Sequence, residues 1–233
     1  MTTPTRLEHD SLGPRQVPAN ALYGAQTSRS IENFPLSGTP LPREIIHGMA
    51  LLKLAAAKAN AALGLLPETK AQAIIAACRA ILTGAHDAEF PVDLFQAGSG
   101  TSSHMNLNEV IANLANEALG GQRGAKAPVH PNDDVNMGQS TNNSFPSGAK
   151  IAVLNQMPAL IDALNALAQA LQARATEFAP ILKAGRTHLQ DAVPITLGQE
   201  FAAYASAIRA ATARIRQAAD ELLELGAGGN AIG

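Results

Sequence analysis

From Leu197 to Leu225 the residues Leu197, Phe201, Tyr204, Ile208, Ala211, Ile215, Ala218, Leu222 and Leu225 recur at steps of four and three without a break. Such a seam specifies one long helix lying along others. About 30 residues of helix extend about 45 Å at ~1.5 Å per residue, more than a compact domain of this size needs. The helix calls for neighbours of similar length. One precedes it over roughly 147–178, with Leu154, Met157, Leu160, Ile161, Leu164, Leu167 and Leu171 inward. Pro158 sits inside that pattern and predicts a kink or an unpaired carbonyl. The sequence then ends in GAGGNAIG with no third long helix, as expected of a bundle continued outside these 233 residues.

Upstream, residues 1–40 read as irregular, punctuated by Pro14, Pro18, Pro35 and Pro40. A helix is predicted from Pro42 on Ile45, Met49, Leu52, Ala56, Ala59 and Leu63, stopped by Gly64. A second spans Glu68–Leu82 and ends at Gly84; FPVDLFQ (90–96) fits a short buried strand or an extended link. A third follows GSGT over about 106–119, with Gly120 and Gly121 behind it. The fold class is therefore all-α. Residues 1–138 form a mainly helical N-terminal domain with an irregular start, and 139–233 the first part of a long-helix bundle.

Hydrophobic residues make up 46% of the chain and charged residues only 15%, a lean surface that suits burial against partner subunits. A net charge of −2 with scattered signs offers no basic face to nucleic acid or anionic lipid. Cys78 is the single cysteine, expected to be buried in its helix; one cysteine cannot form an internal disulfide, which suits a reducing compartment. No apolar run is read as approaching the roughly 18 residues of a membrane span, and MTTPTRLEHD has no signal-peptide core. A soluble, cytoplasmic protein is the expectation.

Three polar segments interrupt the alanine-leucine background: GSGTSSHMN (98–106), HPNDDVNMGQSTNN (130–143) and GRTHLQD (185–191). The middle one gathers Asn, Gln, Ser, Thr, Asp and His without any Lys or Arg. Each stands where a helix is predicted to begin, and helix N-termini offer free N–H groups and partial positive charge to anions. Together they point to a site for a small carboxylate-bearing anion. The plainer reading of each segment alone is an N-cap, since Ser, Thr and Asn are the usual capping residues. His188 alone would be an ordinary structural histidine. GSGT lacks the Lys of a P-loop, and the six His are scattered without metal-ligand spacing, so no metal is expected.

The chain resembles the fumarase/aspartase family of lyases along essentially its whole length. VPANALYGAQTSRSIENFPLSG, FPVDLFQAGSGTSSHMNLNEVIAN, VHPNDDVNMGQSTNNSFP and KAGRTHLQDAVPITLGQEF carry the resemblance in order and at suitable spacing. It implies a homotetramer built round a bundle of long helices, with active sites assembled from several subunits. The reaction implied is reversible anti-elimination from a C4 dicarboxylate, most simply malate to fumarate, with no metal or organic cofactor. Ser99, Thr101, Ser140, Thr141 and Asn142 would hold one substrate carboxylate. Thr187 and His188 would sit over the substrate, with His188 as the catalytic residue that positions it or handles a proton. His130, Asn132 and Asp133 match a second, peripheral anion site.

The sequence departs from the family at His104, where an Asn that contacts substrate is usual, and at Asn143, which replaces a common Asp. The family's GSSxMPxKxN loop, with its catalytic Ser base and substrate-binding Lys, is absent from these 233 residues, so this stretch alone is expected to be inactive. GSGTSS, PNDDVNM and GRTHLQDA favour the fumarase pattern; Thr141 in QSTN favours aspartate ammonia-lyase. A reading of another class is a non-catalytic helical scaffold that kept the fold and lost the chemistry.

Overall fold

The computed structural model of the chain describes residues 4–229. It divides into two compact units, one formed by residues 4–152 with 225–229, the other by Val153–Glu224. Helices dominate both, and the sheets are two separate two-stranded hairpins.

The first unit corrects the reading of residues 1–40 as irregular. β1 (Thr5–Asp10) and β2 (Gly13–Pro18) form an antiparallel hairpin with Arg6 opposite Val17 and Glu8 opposite Arg15. Polar groups hold it. The Arg6 guanidinium pairs with Glu8 and donates to the carbonyls of Pro18, Ala21 and Tyr23, and Arg29 pairs with Asp10. A hairpin anchored this way needs no apolar alternation, the main signal of a strand in sequence.

α1 (Ala25–Asn33) follows, and Glu109 caps it from a distance. The Glu109 carboxylate accepts from the backbone N–H groups of Gly24, Gln26 and Thr27 and from the Thr27 hydroxyl, at 2.7–3.1 Å. These donors fill part of the set of N–H groups that a helix start leaves unpaired.

α2 (Arg43–Ala62) and α3 (Glu68–Leu82) occupy the predicted spans. Gly64 and Gly84 take the left-handed conformation just past their ends, as C-terminal stops do. α4 (Thr101–Ala118) begins five residues earlier than expected, because left-handed Gly100 turns the chain straight into helix. FPVDLFQ forms an extended link with an isolated bridge between Pro40 and Asp93. Its Asp93 carboxylate accepts from the N–H groups of Ser37, Gly38 and Phe95. The core lies between these helices, with Ile46, Met49, Ile74, Cys78, Ile81, Leu107 and Ile111 all buried.

α5 (Thr141–Glu177) starts six residues before the predicted 147 and runs unbroken through Pro158. It is long and apolar enough, by length and composition alone, to cross a bilayer. The reading that no segment approaches that length is thereby corrected: alanines dilute the apolar run to the eye, yet few charges interrupt it. The same composition suits the central helix of a bundle.

In the second unit, α5 is followed by the hairpin of β3 (Leu182–Thr187) and β4 (Gln190–Thr196), then α6 (Leu197–Ala219) and a 3-10 turn over Asp220–Leu223. Thr196 and Gln199 close a reciprocal capping box at the start of α6. The helix is shorter than the predicted 196–225. Its predicted seam is left uncovered within the single chain, and a second heptad line faces α5. None of the nine seam residues is buried, and Tyr204, Ala218 and Leu225 are exposed. The buried residues are Gly198, Ala205, Thr212 and Ala219, seven apart. Ile161, Ala168 and Ala175, also seven apart, are the buried residues on this part of α5. A Cβ on Gly198 would lie 2.5 Å from the Ala175 carbonyl oxygen, so the two backbones touch there. The Phe178 and Phe201 rings meet edge to face nearby, 5.2 Å apart.

Candidate anion-binding site

Two of the three polar segments converge in the first unit. At GSGT, Gly100 has φ +76, and a Cβ on it would overlap the Phe145 ring in the first turn of α5. Only glycine allows this approach, so the start of α4 is seated on the start of α5. Thr101 is the first residue of α4, and its hydroxyl lies 2.8 Å from that of Ser99. Ser140 precedes α5, its carbonyl accepting from the N–H of Ser144 and its hydroxyl from the N–H of Asn142. The bridge between the two starts is direct: His104 Nδ1 lies 2.7 Å from Thr141 Oγ1.

Ser99, Thr101 and Asn142 are exposed and Ser140 and Thr141 half-buried, so a solute can reach all five. Two helix N-termini and five neutral hydrogen-bonding side chains thus share one surface. Such an arrangement favours a carboxylate, through partial positive charge and directed donors.

Behind it lies a buried polar group that the sequence reading missed. Lys53 is wholly buried in α2, with Nζ 2.7 Å from Asn136 Oδ1 of the PNDDVN segment. Burial holds the Lys53 ammonium well below the usual lysine range. Burial, and next the Lys53 charge, pushes His104 down to about 3, and burial pushes the Cys78 thiol up to about 12. A signal was available: Lys53 falls in the line Met49, Lys53, Ala57 on the apolar face of its helix.

His130, Asn132 and Asp133 are brought together by their own backbone. Pro131–Val135 makes a π-helical turn, and His130 Nδ1 accepts from the N–H groups of Asn132 and Asp133 at 3.3 and 3.2 Å. Behind the turn, Lys70 pairs with Asp134 at 2.9 Å.

Thr187 and His188 lie in the second unit, adjacent and exposed at the tip of the β3–β4 hairpin. The placement of GRTH at a helix start is corrected, since β4 intervenes and Thr196 caps α6 instead. His188 and Leu189 both have positive φ, 50° and 62°, which lets a two-residue turn close without glycine.

A family model described as "Lyase" matches residues 13–233. The chain is 51% identical to fumarate hydratase class II 2 of Bradyrhizobium diazoefficiens over 98% of its own length and 49% of that protein. The crystal structure of a class II fumarase from Schistosoma mansoni superposes with a TM-score of 0.93 at 39% identity, covering 99% of this chain and 49% of that one. A "fumarate lyase:delta crystallin" structure from Brucella melitensis, in native form, gives 0.93 at 50% identity over 97% and 53%. The chain spans about half the length of the curated relatives it matches.

Proposed function

The chain belongs to the fumarase/aspartase family of lyases, and on that premise we propose that it contributes a carboxylate-binding site to an enzyme that interconverts malate and fumarate. One observation carries this reading: the starts of α4 and α5 meet through His104 and Thr141 and present Ser99, Thr101, Ser140, Thr141 and Asn142 together. Similarity to fumarate hydratases at about half identity supports the substrate class.

In this reaction a base removes a proton from the carbon beside one malate carboxylate. The electron pair of that C–H bond delocalises into the carboxylate as a dianionic aci-form. It then returns to form the C=C bond as the C–O bond breaks, and the hydroxyl leaves with a proton as water. The transition state holds more negative charge on the carboxylate than the ground state does. Preorganised hydroxyl and N–H donors therefore stabilise it preferentially. Five side chains of the first unit hold one of the substrate's two carboxylates. Thr187 and His188, reachable from solvent at their hairpin tip, serve a substrate in an active site assembled from several subunits, as the family resemblance implies, and His188 positions it or handles a proton. The base belongs to the GSSxMPxKxN loop of the family. The reaction uses no organic cofactor.

The peripheral site at His130, Asn132 and Asp133 is part of the same proposal, with His130 Nδ1 engaged by backbone and Nε2 left for a ligand. So is the division of the chain at residue 138, between an N-terminal domain and the bundle. A homotetramer is supported by the half-exposed Leu160, Leu167 and Tyr204 of the second unit, which a neighbouring long helix would cover. Thr141 within QSTN favours the second reading, aspartate ammonia-lyase. Assaying the full polypeptide with both substrates separates them. Malate is expected to produce ultraviolet fumarate absorbance without ammonia; ammonia from aspartate, with malate untouched, reverses the ranking.

A further inference from the structure

His104 presents two nitrogens to two different surroundings. Nδ1 meets the Thr141 hydroxyl, whereas Nε2 is buried and has no polar partner. The whole side chain is buried in the first turns of α4, where the charge of buried Lys53 reaches it. With the proton on Nε2, an N–H would be buried with no acceptor, a rare condition in folded proteins. With the proton on Nδ1, the unpartnered atom is a lone pair, which buried sites tolerate better than an orphaned N–H.

We propose that His104 is a positioning residue for substrate binding: its Nδ1–H donates to Thr141 Oγ1 and turns the Thr141 hydroxyl hydrogen outward to the substrate carboxylate. The proposal rests on the reading of Thr141 as a carboxylate contact. A free hydroxyl is ambivalent, as ready to point a lone pair at an anion as a hydrogen. Fixing an N–H on its oxygen commits it to donation. Burial and Lys53 keep the ring uncharged through the neutral range, so the commitment does not vary with pH there. The opposite tautomer would take the hydroxyl hydrogen inward and leave oxygen lone pairs facing the ligand.

The test uses the full polypeptide in its native assembly, with malate as substrate and the variants His104→Leu, His104→Asn, Thr141→Val and the Leu/Val double. His104→Leu is expected to raise KM about tenfold with kcat changed less than about threefold, the mark of lost uniform binding. His104→Asn, whose amide can donate to the same oxygen, restores KM to within about threefold. On the Thr141→Val background, His104→Leu adds less than about twofold, because the residues act as one unit. Imidazole ¹⁵N spectra of the unsubstituted protein should show the proton on Nδ1, a readout that needs no variant to fold. An Nε2–H signature, or a full tenfold further loss in the double variant, overturns the positioning role. If Thr141→Val alone leaves KM unchanged, the underlying assignment of Thr141 to the carboxylate is what fails.

Discussion

In the first unit Ile46, Met49, Ile74, Leu107 and Ile111 fill the space between α2, α3 and α4, whereas in the second the buried line of α6 is Gly198, Ala205, Thr212 and Ala219. Large side chains gain roughly 1.5–3 kcal/mol each on burial, and small ones much less. The first unit thus draws its stability from its own core. The second gains close backbone approach but little apolar area, and leaves Leu160, Leu167 and Tyr204 about half exposed. Ionisable groups divide the same way. Lys53, His104 and Glu109 are buried in the first unit, while the second keeps its Lys183–Glu200 pair part-exposed. A self-contained core tolerates and orients buried polar groups; a thin one depends on what packs against it.

The largest effect expected from this contrast is acid sensitivity confined to the first unit. His104 is held near pKa 3 in the fold, against about 6.5 when unfolded. Between those values the unfolded chain binds a proton that the folded chain refuses, so stability falls as pH drops from about 6.5 to about 3. The loss at the bottom of the window is roughly 4–5 kcal/mol. Denaturant titrations from pH 7 to 3 should show it, and His104→Asn should flatten the slope. An unchanged slope in that variant would show that another group titrates.

Next in size is core truncation. Ile74→Ala should cost about 2–5 kcal/mol by denaturant titration, the usual range for emptying a fully buried aliphatic site. Gly198→Ala should cost about 1–3 kcal/mol through overpacking, because the new methyl meets backbone atoms of Ala175 and Ala179 that cannot swing away. If Gly198→Ala proved neutral, close backbone contact would not define the second unit. The smallest effect is on the uncovered face. Leu160→Gln with Leu167→Gln should change the stability of the dissociated chain by no more than about 0.5 kcal/mol. In sedimentation of the full assembly, the same pair should shift the oligomer toward smaller species.

What the sequence disclosed follows the same division. Helix spans and stops in the first unit were legible because Pro42, Gly64 and Gly84 mark them locally. The heptad period of α6 was legible, but the line that meets α5 was not: hydrophobicity singles out Leu197 and Phe201, whereas close packing within the chain uses Gly198 and Ala205. The N-terminal hairpin was hidden because the Arg6 fork replaces apolar alternation. The second hairpin was hidden because its turn uses His188 and Leu189 rather than Asn-Gly. At the site, GSGT and QSTNN could be singled out locally as helix starts, whereas Ser99, Thr101, Ser140, Thr141 and Asn142 were named through the family resemblance. The pairing of His104 with Thr141 spans 37 residues, and nothing local encodes it.

Gly48 and Gly148 bear on that pairing as a matter of clearance. A Cβ on Gly48 would overlap the Gly148 carbonyl oxygen, and one on Gly148 would overlap the Met49 side chain. α2 and α5 therefore touch with no space left over. Gly148 lies about 10 Å along the helix axis from Thr141, at ~1.5 Å per residue. A stop with no play at that distance sets the tolerance with which the Thr141 hydroxyl is machined into place. The bond from His104 is 2.7 Å long, and an outward shift of about 1 Å would carry it past any useful hydrogen-bond length. Gly48 and Gly148 thus act as the gauge block for the residue proposed to meet the carboxylate.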